Sequence, residues 1–270
     1  MAQTETAYAK INLALHVRKR REDGYHELET AFAFVDDGDR LTFAEAAEDR
    51  FEQTGPFAGE LDAPFGNIVS QALSRLPRQS GLTVNLEKRL PVAAGLGGGS
   101  ADAGAVFRVV ERMYGLPEDW QDRAARLGAD VPACVRSEAC IGRGTGTELE
   151  EVDNDLSGTP VLLVNPRVPL STPAVFARWD GADGGPLPSG PLSRIARDGH
   201  NDLEAAATEL VPDVADVLTA LRDTGATLVR MSGSGATCFA LFDSHDAMMS
   251  ASGRLGSENP AWWRMQGRLR

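Results

Sequence analysis

Four glycines fall within the five residues Gly95-Leu96-Gly97-Gly98-Gly99. Such a run gives up backbone entropy and side-chain packing, so a folded chain keeps it where the backbone turns tightly or where a ligand must touch main-chain atoms. On its own it could equally be a structural turn. The flanks narrow the choice. Before it, Leu82, Val84 and Leu86 alternate with polar residues, the pattern of a half-buried strand. After it, Ala105, Val106, Val109, Val110 and Met113 recur along one stripe. That spacing predicts a helix over 101–114, with Ser100 as N-cap, Asp102 in the first turn, and Gly115 and Pro117 as its stop. Strand, glycine loop and helix start in that order make an anion site, because free N–H groups and the positive end of the helix dipole converge there. The commonest biological anion at such a place is a phosphate.

Two other glycine motifs fail on the letters. A P-loop needs Lys and Ser or Thr after its last glycine, whereas Gly104 is followed by Ala105 and Val106. A dinucleotide fingerprint starting at Gly95 wants a third glycine at position 100, which is Ser100, and no acidic strand end follows about 20 residues later.

The bulk numbers exclude several classes of function. With 42% hydrophobic residues and no apolar run near 18 residues in length, the chain reads as a soluble globular protein. Its start lacks a basic region followed by an apolar stretch, so no secretory signal is expected and the cytoplasm is the default location. A net charge of -12 argues against nucleic acid or an anionic membrane as partner. Lysine is scarce, only Lys10, Lys19 and Lys88, and two of the three stand beside motifs, which suggests a need for a compact ammonium there. Compositional drift towards arginine is the alternative. Cys134, Cys140 and Cys238 are odd in number and show no metal spacing, so buried free thiols are expected.

Along the chain, Ala7 to Val17 reads as a strand with Lys10 and Asn12 on one face. Phe32 to Val35 begins another, Asp36 to Asp39 reads as a turn, and Leu41 to Phe43 continues the sheet. Asn67 to Leu76 and Glu118 to Leu127 read as helices, the second closed by Gly128, with Asp130 just before Val131-Pro132. Gly142 to Gly146 predicts a hairpin connection. The polar stretch Asp153 to Gly158 marks a boundary between domains at 1–155 and 156–270. Gly181 to Pro191 reads as a flexible loop. Val214, Val217, Leu218 and Leu221 mark a helix, and Thr227 to Phe242 reads as strand, Ser-Gly-Ser-Gly turn, strand.

The segment Pro91-Val92-Ala93-Ala94-Gly95-Leu96-Gly97-Gly98-Gly99-Ser100-Ala101-Asp102-Ala103 resembles the phosphate-binding motif of the GHMP small-molecule kinases. Ala7-Tyr8-Ala9-Lys10-Ile11-Asn12-Leu13 and Met231-Ser232-Gly233-Ser234-Gly235-Ala236-Thr237 are similar to that family's other two motifs, so the resemblance spans nearly the whole chain. It implies an α+β, two-domain fold: an N-terminal domain like the second domain of ribosomal protein S5, a C-terminal ferredoxin-like domain, and an active site in the cleft between them. Three further pieces, Asp23-Gly24-Tyr25-His26-Glu27-Leu28, Leu127-Gly128-Ala129-Asp130-Val131-Pro132 and Asn201-Asp202-Leu203-Glu204, resemble the branch whose acceptor is a cytidine diphosphate-linked methylerythritol. A GHMP kinase with another acceptor, or a catalytically silent nucleotide sensor, are the alternatives.

Phosphoryl transfer needs neutralised phosphates, a placed hydroxyl, and a group that takes its proton. The resemblance assigns catalysis to Lys10 and Asp130, the ammonium holding Asp130 ionised and polarising the hydroxyl. Outside that context Asp130 reads as a turn-capping aspartate. ATP phosphates would lie along Pro91, Gly95, Leu96, Gly97, Gly98, Gly99, Ser100 and Ala101, closed over by Ser232, Gly233, Ser234 and Gly235, whose plain reading is a tight hairpin turn. Tyr25, His26, Lys88 and Phe176 would meet the cytidine diphosphate end, and Asn12 and Thr172 the erythritol hydroxyls. His26 otherwise reads as a loop histidine, Phe176 as a core aromatic and Lys88 as a strand cap. ATP would arrive with Mg²⁺. Family members commonly have Ser-Ser after the glycines where this chain has Ser100-Ala101, so no protein ligand to the ion is assigned.

Overall fold

The computed structural model describes residues 2–61 and 67–270. Two strands dominate it. β1 (Gln3–Arg20) and β2 (His26–Ala46) pair with each other and run for 18 and 21 residues, against a usual five or six. Both pass through two compact units. The first comprises Met1–Lys10, Asp37–Val92 and Gly97–Ser137, and the second Ile11–Asp36, Ala93–Leu96 and Glu138–Arg270. The units are thus discontinuous in sequence, where the sequence reading expects a single cut at 155/156, because each long strand contributes a half to both.

In the first unit, β3 (Arg50–Thr54) lies parallel to β4 (Gly81–Glu87), and β4 lies antiparallel to Arg40–Ala46 of β2. Leu82, Val84 and Leu86 of β4 are fully buried while their neighbours are not, the alternation expected. α1 (Ile68–Arg75) is capped by Asn67, whose Oδ1 accepts from the Val69 N–H at 2.8 Å. α2 (Gly98–Tyr114), α3 (Trp120–Ala125) and α4 (Val131–Arg136) complete the unit, and α2 packs against α1 and α4. The α2–α4 approach is close enough that a Cβ on Gly104 would come 2.4 Å from the Cys134 carbonyl oxygen.

Two sequence expectations change here. α2 starts at Gly98, so Ser100 is inside the helix and Gly97, with φ 59° and no side-chain cap, holds the N-cap position. The turn expected at Asp36 to Asp39 is absent, and β2 runs straight through it. The polar residues there serve pairing: Asp37 binds the Arg89 guanidinium at 2.7 and 3.0 Å, Asp39 accepts backbone N–H groups of Arg89 and Leu90, and a Cβ on Gly38 would meet the Ala7 carbonyl oxygen at 1.9 Å.

In the second unit, β5 (Cys140–Gly144) pairs antiparallel with Leu28–Phe32 of β2 and with β6 (Glu148–Glu151), joined by the expected hairpin. β7 (Pro160–Asn165), β8 (Leu228–Met231), β9 (Cys238–Leu241) and β10 (Trp263–Arg268) form an antiparallel sheet in the order β10-β7-β9-β8. α5 (Thr172–Arg178), α6 (Leu192–Asp198), α7 (Glu204–Leu210) and α8 (Asp213–Arg222) connect β7 to β8, and α9 (His245–Glu258) connects β9 to β10. Strand, helices, strand, strand, helix, strand with this order is the ferredoxin-like arrangement. Val214, Val217, Leu218 and Leu221 of α8 face its core, the stripe read from the sequence. The 181–191 segment has no regular structure but is tied down: Gly184 N–H donates to Val17 O at 2.9 Å, His16 Nδ1 bonds Gly185 O at 3.1 Å, and Leu187 N–H donates to Glu29 at 3.2 Å.

Gly104→Ala is expected to destabilise the protein by about 1–3 kcal/mol, since the neighbour in the way is backbone. Gly253→Ala, on the exposed side of α9 with nothing within 4 Å of the new methyl, is expected to stabilise by up to about 1 kcal/mol. Urea midpoints of the two variants, moving in opposite directions, check both.

Candidate functional site

Lys10 lies in β1 between Ala9 and Ile11, which are fully buried, and is itself 4% exposed. Its Nζ is 2.9 Å from Asp130 Oδ2, and the Asp130 side chain is 32% exposed. Asp130 occupies the N-cap position of α4 but makes no capping hydrogen bond. The turn-capping reading therefore does not describe it: its carboxylate is turned to the ammonium and keeps a face towards solvent. The glycine loop runs directly over this pair. A Cβ on Gly97 would lie 2.9 Å from Lys10 Cε and 3.7 Å from Asp130 Oδ2, and the residue's left-handed φ would strain any side chain. The earliest main-chain bond of α2 is Ala101 N–H to Gly97 O at 2.8 Å, so the N–H groups of Gly98, Gly99 and Ser100 have no partner inside the helix. The helix dipole and free amides meet beside the Lys10–Asp130 pair, a local set of groups suited to an anion in a chain of net charge -12.

The loop positions expected to line the nucleotide divide into two kinds. Gly97, Gly98, Gly99 and Ser100 are partly or fully exposed. Pro91, Leu96 and Ala101 are buried, and the Ala101 N–H is already used within the helix, so these three shape the bend rather than offer it groups. Lys88 also departs from expectation. It is 1% exposed, with Nζ 2.6 Å from Asp39 Oδ2 and 2.8 Å from Asp102 Oδ2. Burial pushes its pKa down, but the two carboxylates outweigh that and raise it. An ammonium enclosed by two carboxyls does not face an acceptor; it sits under the loop, where a Cβ on Gly98 would come within 3.1 Å of Nζ.

In the second unit, Ala93–Leu96 rests on the Ser-Gly-Ser-Gly turn. Ser232 Oγ donates to Gly95 O at 2.8 Å and accepts from Asn12 N–H at 3.1 Å, and Thr237 N–H donates to Ala94 O at 3.1 Å. A Cβ on Gly95 would come 2.4 Å from Ser232 O and 2.8 Å from Gly235 O, so only glycine fits. Asn201 holds the turn from behind, its Nδ2 donating to Met231 O and Gly233 O, each at 2.8 Å. Ser234 Oγ and Thr172 Oγ1 are 2.7 Å apart. Asn12 is 3% exposed and its Nδ2 donates to Thr30 Oγ1 at 2.7 Å. Sequence reasoning did not give Asn201 a role, although its Asn-Asp-Leu-Glu segment had been singled out.

A third group is aromatic. His26 stacks on Phe176 with ring centroids 4.6 Å apart and meets the edge of Trp179 at 5.5 Å and 87°. Burial first, and then the charge of Arg20, lower the His26 pKa, which favours a neutral imidazole. Trp179 was missed; the signal was its position three residues after Phe176, on the same face of one helical turn. Tyr25 is 67% exposed beside Gly24, whose φ is 85°. Cys134, Cys140 and Cys238 are buried and form no disulfide among the described residues. Among the described residues no cluster of three or more His, Cys, Asp or Glu could hold a metal, and no helix is long and apolar enough to cross a membrane.

The sequence matches the domain described as GHMP kinases N terminal domain over residues 67–138 and that described as GHMP kinases C terminal over 189–260. It is 63% identical to 4-diphosphocytidyl-2-C-methyl-D-erythritol kinase of Novosphingobium aromaticivorans, over all of this chain and 94% of the relative. The protein of the same name from Brucella melitensis is 41% identical, over 96% of this chain and 93% of the relative. A crystal structure of 4-(cytidine 5'-diphospho)-2C-methyl-D-erythritol kinase superposes with a TM-score of 0.84 at 32% identity, covering 99% of each chain. Homoserine kinase from Cytophaga hutchinsonii shares the fold, with a TM-score of 0.68 at 18% identity over 99% of this chain and 96% of that one.

Gly97→Ala is expected to push the loop off the Lys10–Asp130 pair and weaken binding of a nucleoside triphosphate by about 10-fold or more. Titration calorimetry of the variant, with circular dichroism showing the fold intact, is the measurement.

Proposed function

The chain belongs to the GHMP kinases, and from that premise we propose that it transfers the γ-phosphoryl group of ATP to the 2-hydroxyl of 4-diphosphocytidyl-2-C-methyl-D-erythritol, a step of non-mevalonate isoprenoid precursor synthesis. Full-length identity of 63% to a relative of that name supports the acceptor. The observation that carries the chemistry is the Lys10–Asp130 pair, 2.9 Å apart under the left-handed Gly97.

The geometry supports the following roles. The free N–H groups at the start of α2 take phosphate oxygens, and the dipole behind them offsets their charge. Asp130, paired with Lys10 and partly open to solvent, accepts the proton of the attacking hydroxyl. Lys10 keeps that carboxylate in place and stabilises the negative charge that gathers around the transferred group. Because the Asp130 oxygen is already bound to Nζ, the ammonium and the carboxylate work as one unit. His26, Phe176 and Tyr25 recognise the pyrimidine by stacking, while Asn12 and Thr172 place the erythritol hydroxyls. Asn12 is itself fixed by Thr30, so its orientation is set before substrate arrives. Lys88 supports the loop from below. Magnesium, if bound with the nucleotide, would offset part of the phosphate charge. The absence, among the described residues, of a cluster of His, Cys, Asp or Glu able to hold a metal fits an ion carried by the nucleotide's phosphates and water rather than by a protein cage. Three buried thiols without a disulfide suit the cytoplasm, where we place the enzyme.

Asp130→Asn is expected to lower kcat by about 10²-fold or more with the KM for either substrate little changed. Lys10→Met should fall by a similar factor, and the double variant should lose far less than the product of the two, as groups acting together do. Coupled ADP-release assays over a panel of alcohols read both the rates and the acceptor. Undiminished turnover in Asp130→Asn rejects the proton-accepting role, and a preferred acceptor without cytidine rejects the substrate.

A further inference from the structure

Under the glycine loop, inside the first unit, three ionisable side chains are shut away from water together. Asp39, Lys88 and Asp102 have side-chain exposures of 0, 2 and 2%. Asp39 is well supplied with donors: Lys88 Nζ at 2.6 Å on Oδ2, and the N–H groups of Arg89 and Leu90 at 2.6 and 2.8 Å on Oδ1. Asp102, in α2, accepts from Lys88 alone, at 2.8 Å on Oδ2, and its Oδ1 is buried without a hydrogen-bond partner. The negative charge therefore belongs on Asp39. Two ionised carboxyls against one ammonium would leave a net buried charge, costly in a low-dielectric interior. That charge would also lie beneath the backbone that receives phosphates, since a Cβ on Gly98 would be 3.1 Å from Lys88 Nζ and 3.7 Å from Asp39 Oδ2.

The charged groups facing Asp102 are Lys88, just past β4, and Asp39 of β2; the buried residues of α1 and α4, which pack on α2, are uncharged. Burial pushes the Asp102 carboxyl up, Lys88 pulls it back and Asp39 adds to the rise, leaving it at about 8. Once protonated, Asp102 can donate to Asp39, a bond closed to two carboxylates.

We propose that Asp102 is a positioning residue held in its protonated form at neutral pH, so that Asp39, Lys88 and Asp102 make a floor of zero net charge that keeps the glycine loop in the shape nucleotide phosphates require. This rests on the reading that the loop receives ATP. Ionisation of Asp102 puts a negative charge below the phosphates and competes with Asp39 for Lys88, and nucleotide affinity falls while the base-recognising aromatic group of the second unit is untouched.

Titration calorimetry of wild type and Asp102→Asn, with a non-hydrolysable ATP analogue plus magnesium and separately with CDP, tests this near pH 7 and near pH 9. Wild type is expected to lose about fivefold or more in affinity for the ATP analogue across that interval, while Asp102→Asn stays within about twofold of its own value and CDP binding is steady in both. An equal decline in wild type and variant overturns the proposal. Infrared spectra of the wild type give a readout that does not depend on the variant folding. The carbonyl band of a buried protonated carboxylic acid should be present near pH 7 and gone near pH 9, and its absence near pH 7 also overturns the proposal. If the band is present but no ATP analogue binds either protein, the nucleotide reading of the loop fails and the floor's role falls with it.

Discussion

The ion pair between Lys10 and Asp130 sets the terms for everything around it. A strand lysine that is almost wholly buried needs a counter-charge, because an ammonium removed from water without one is strongly unfavourable. The counter-charge comes from the far end of the first unit's helical layer, at a residue that would otherwise cap α4 and does not. The glycine loop passes close over both groups, which leaves no room for a side chain at Gly97. On the proposed roles, such proximity holds the two groups in place before substrate arrives.

A chain of net charge -12 that belongs to a family of ATP-using kinases has to resolve a conflict in its own field. It does so locally. Screening weakens the distant surface carboxylates over about 8–10 Å, while the ammonium and amides at the start of α2 act at contact distance. The same logic reaches the layer beneath: one lysine meets two carboxyls there, and a proton balances the count. The second unit carries aromatic faces and backbone turns rather than charge at His26, Phe176 and the Ser232–Gly235 turn.

Local patterns were legible in the sequence wherever one periodicity or one motif decided them. The alternation of Leu82, Val84 and Leu86 and the stripe on α8 follow from periodicity, whereas the ferredoxin-like order and the meeting of Lys10 with Asp130 are legible only through the resemblance of the motifs to the kinase family. What was not legible depended on partners distant in sequence. Asp36 to Asp39 has the composition of a turn, and only the N–H groups of Arg89 and Leu90 and the Ala7 carbonyl make it strand. Ser100 is a good N-cap by type, yet Gly97 takes the position because its left-handed backbone starts the helix earlier. Lys88 beside a phosphate motif looks like a ligand contact, and its burial between Asp39 and Asp102 is invisible without β2 and α2. Trp179 was readable from its spacing to Phe176 but carried no motif.

The threading of β1 and β2 through both compact units bears on how the polypeptide acquires its structure. Neither half is an autonomous cassette. Leu28–Phe32 waits for β5, residues 93–96 wait for the turn at 232–235, and residues synthesised first are completed by residues synthesised last. Such non-local pairing makes for slow, high-contact-order folding. On the ribosome, the amino-terminal segments stay incompletely paired until translation is nearly finished, which gives chaperones their longest opportunity to act on this chain and makes fragments cut in the middle poor candidates for independent folding.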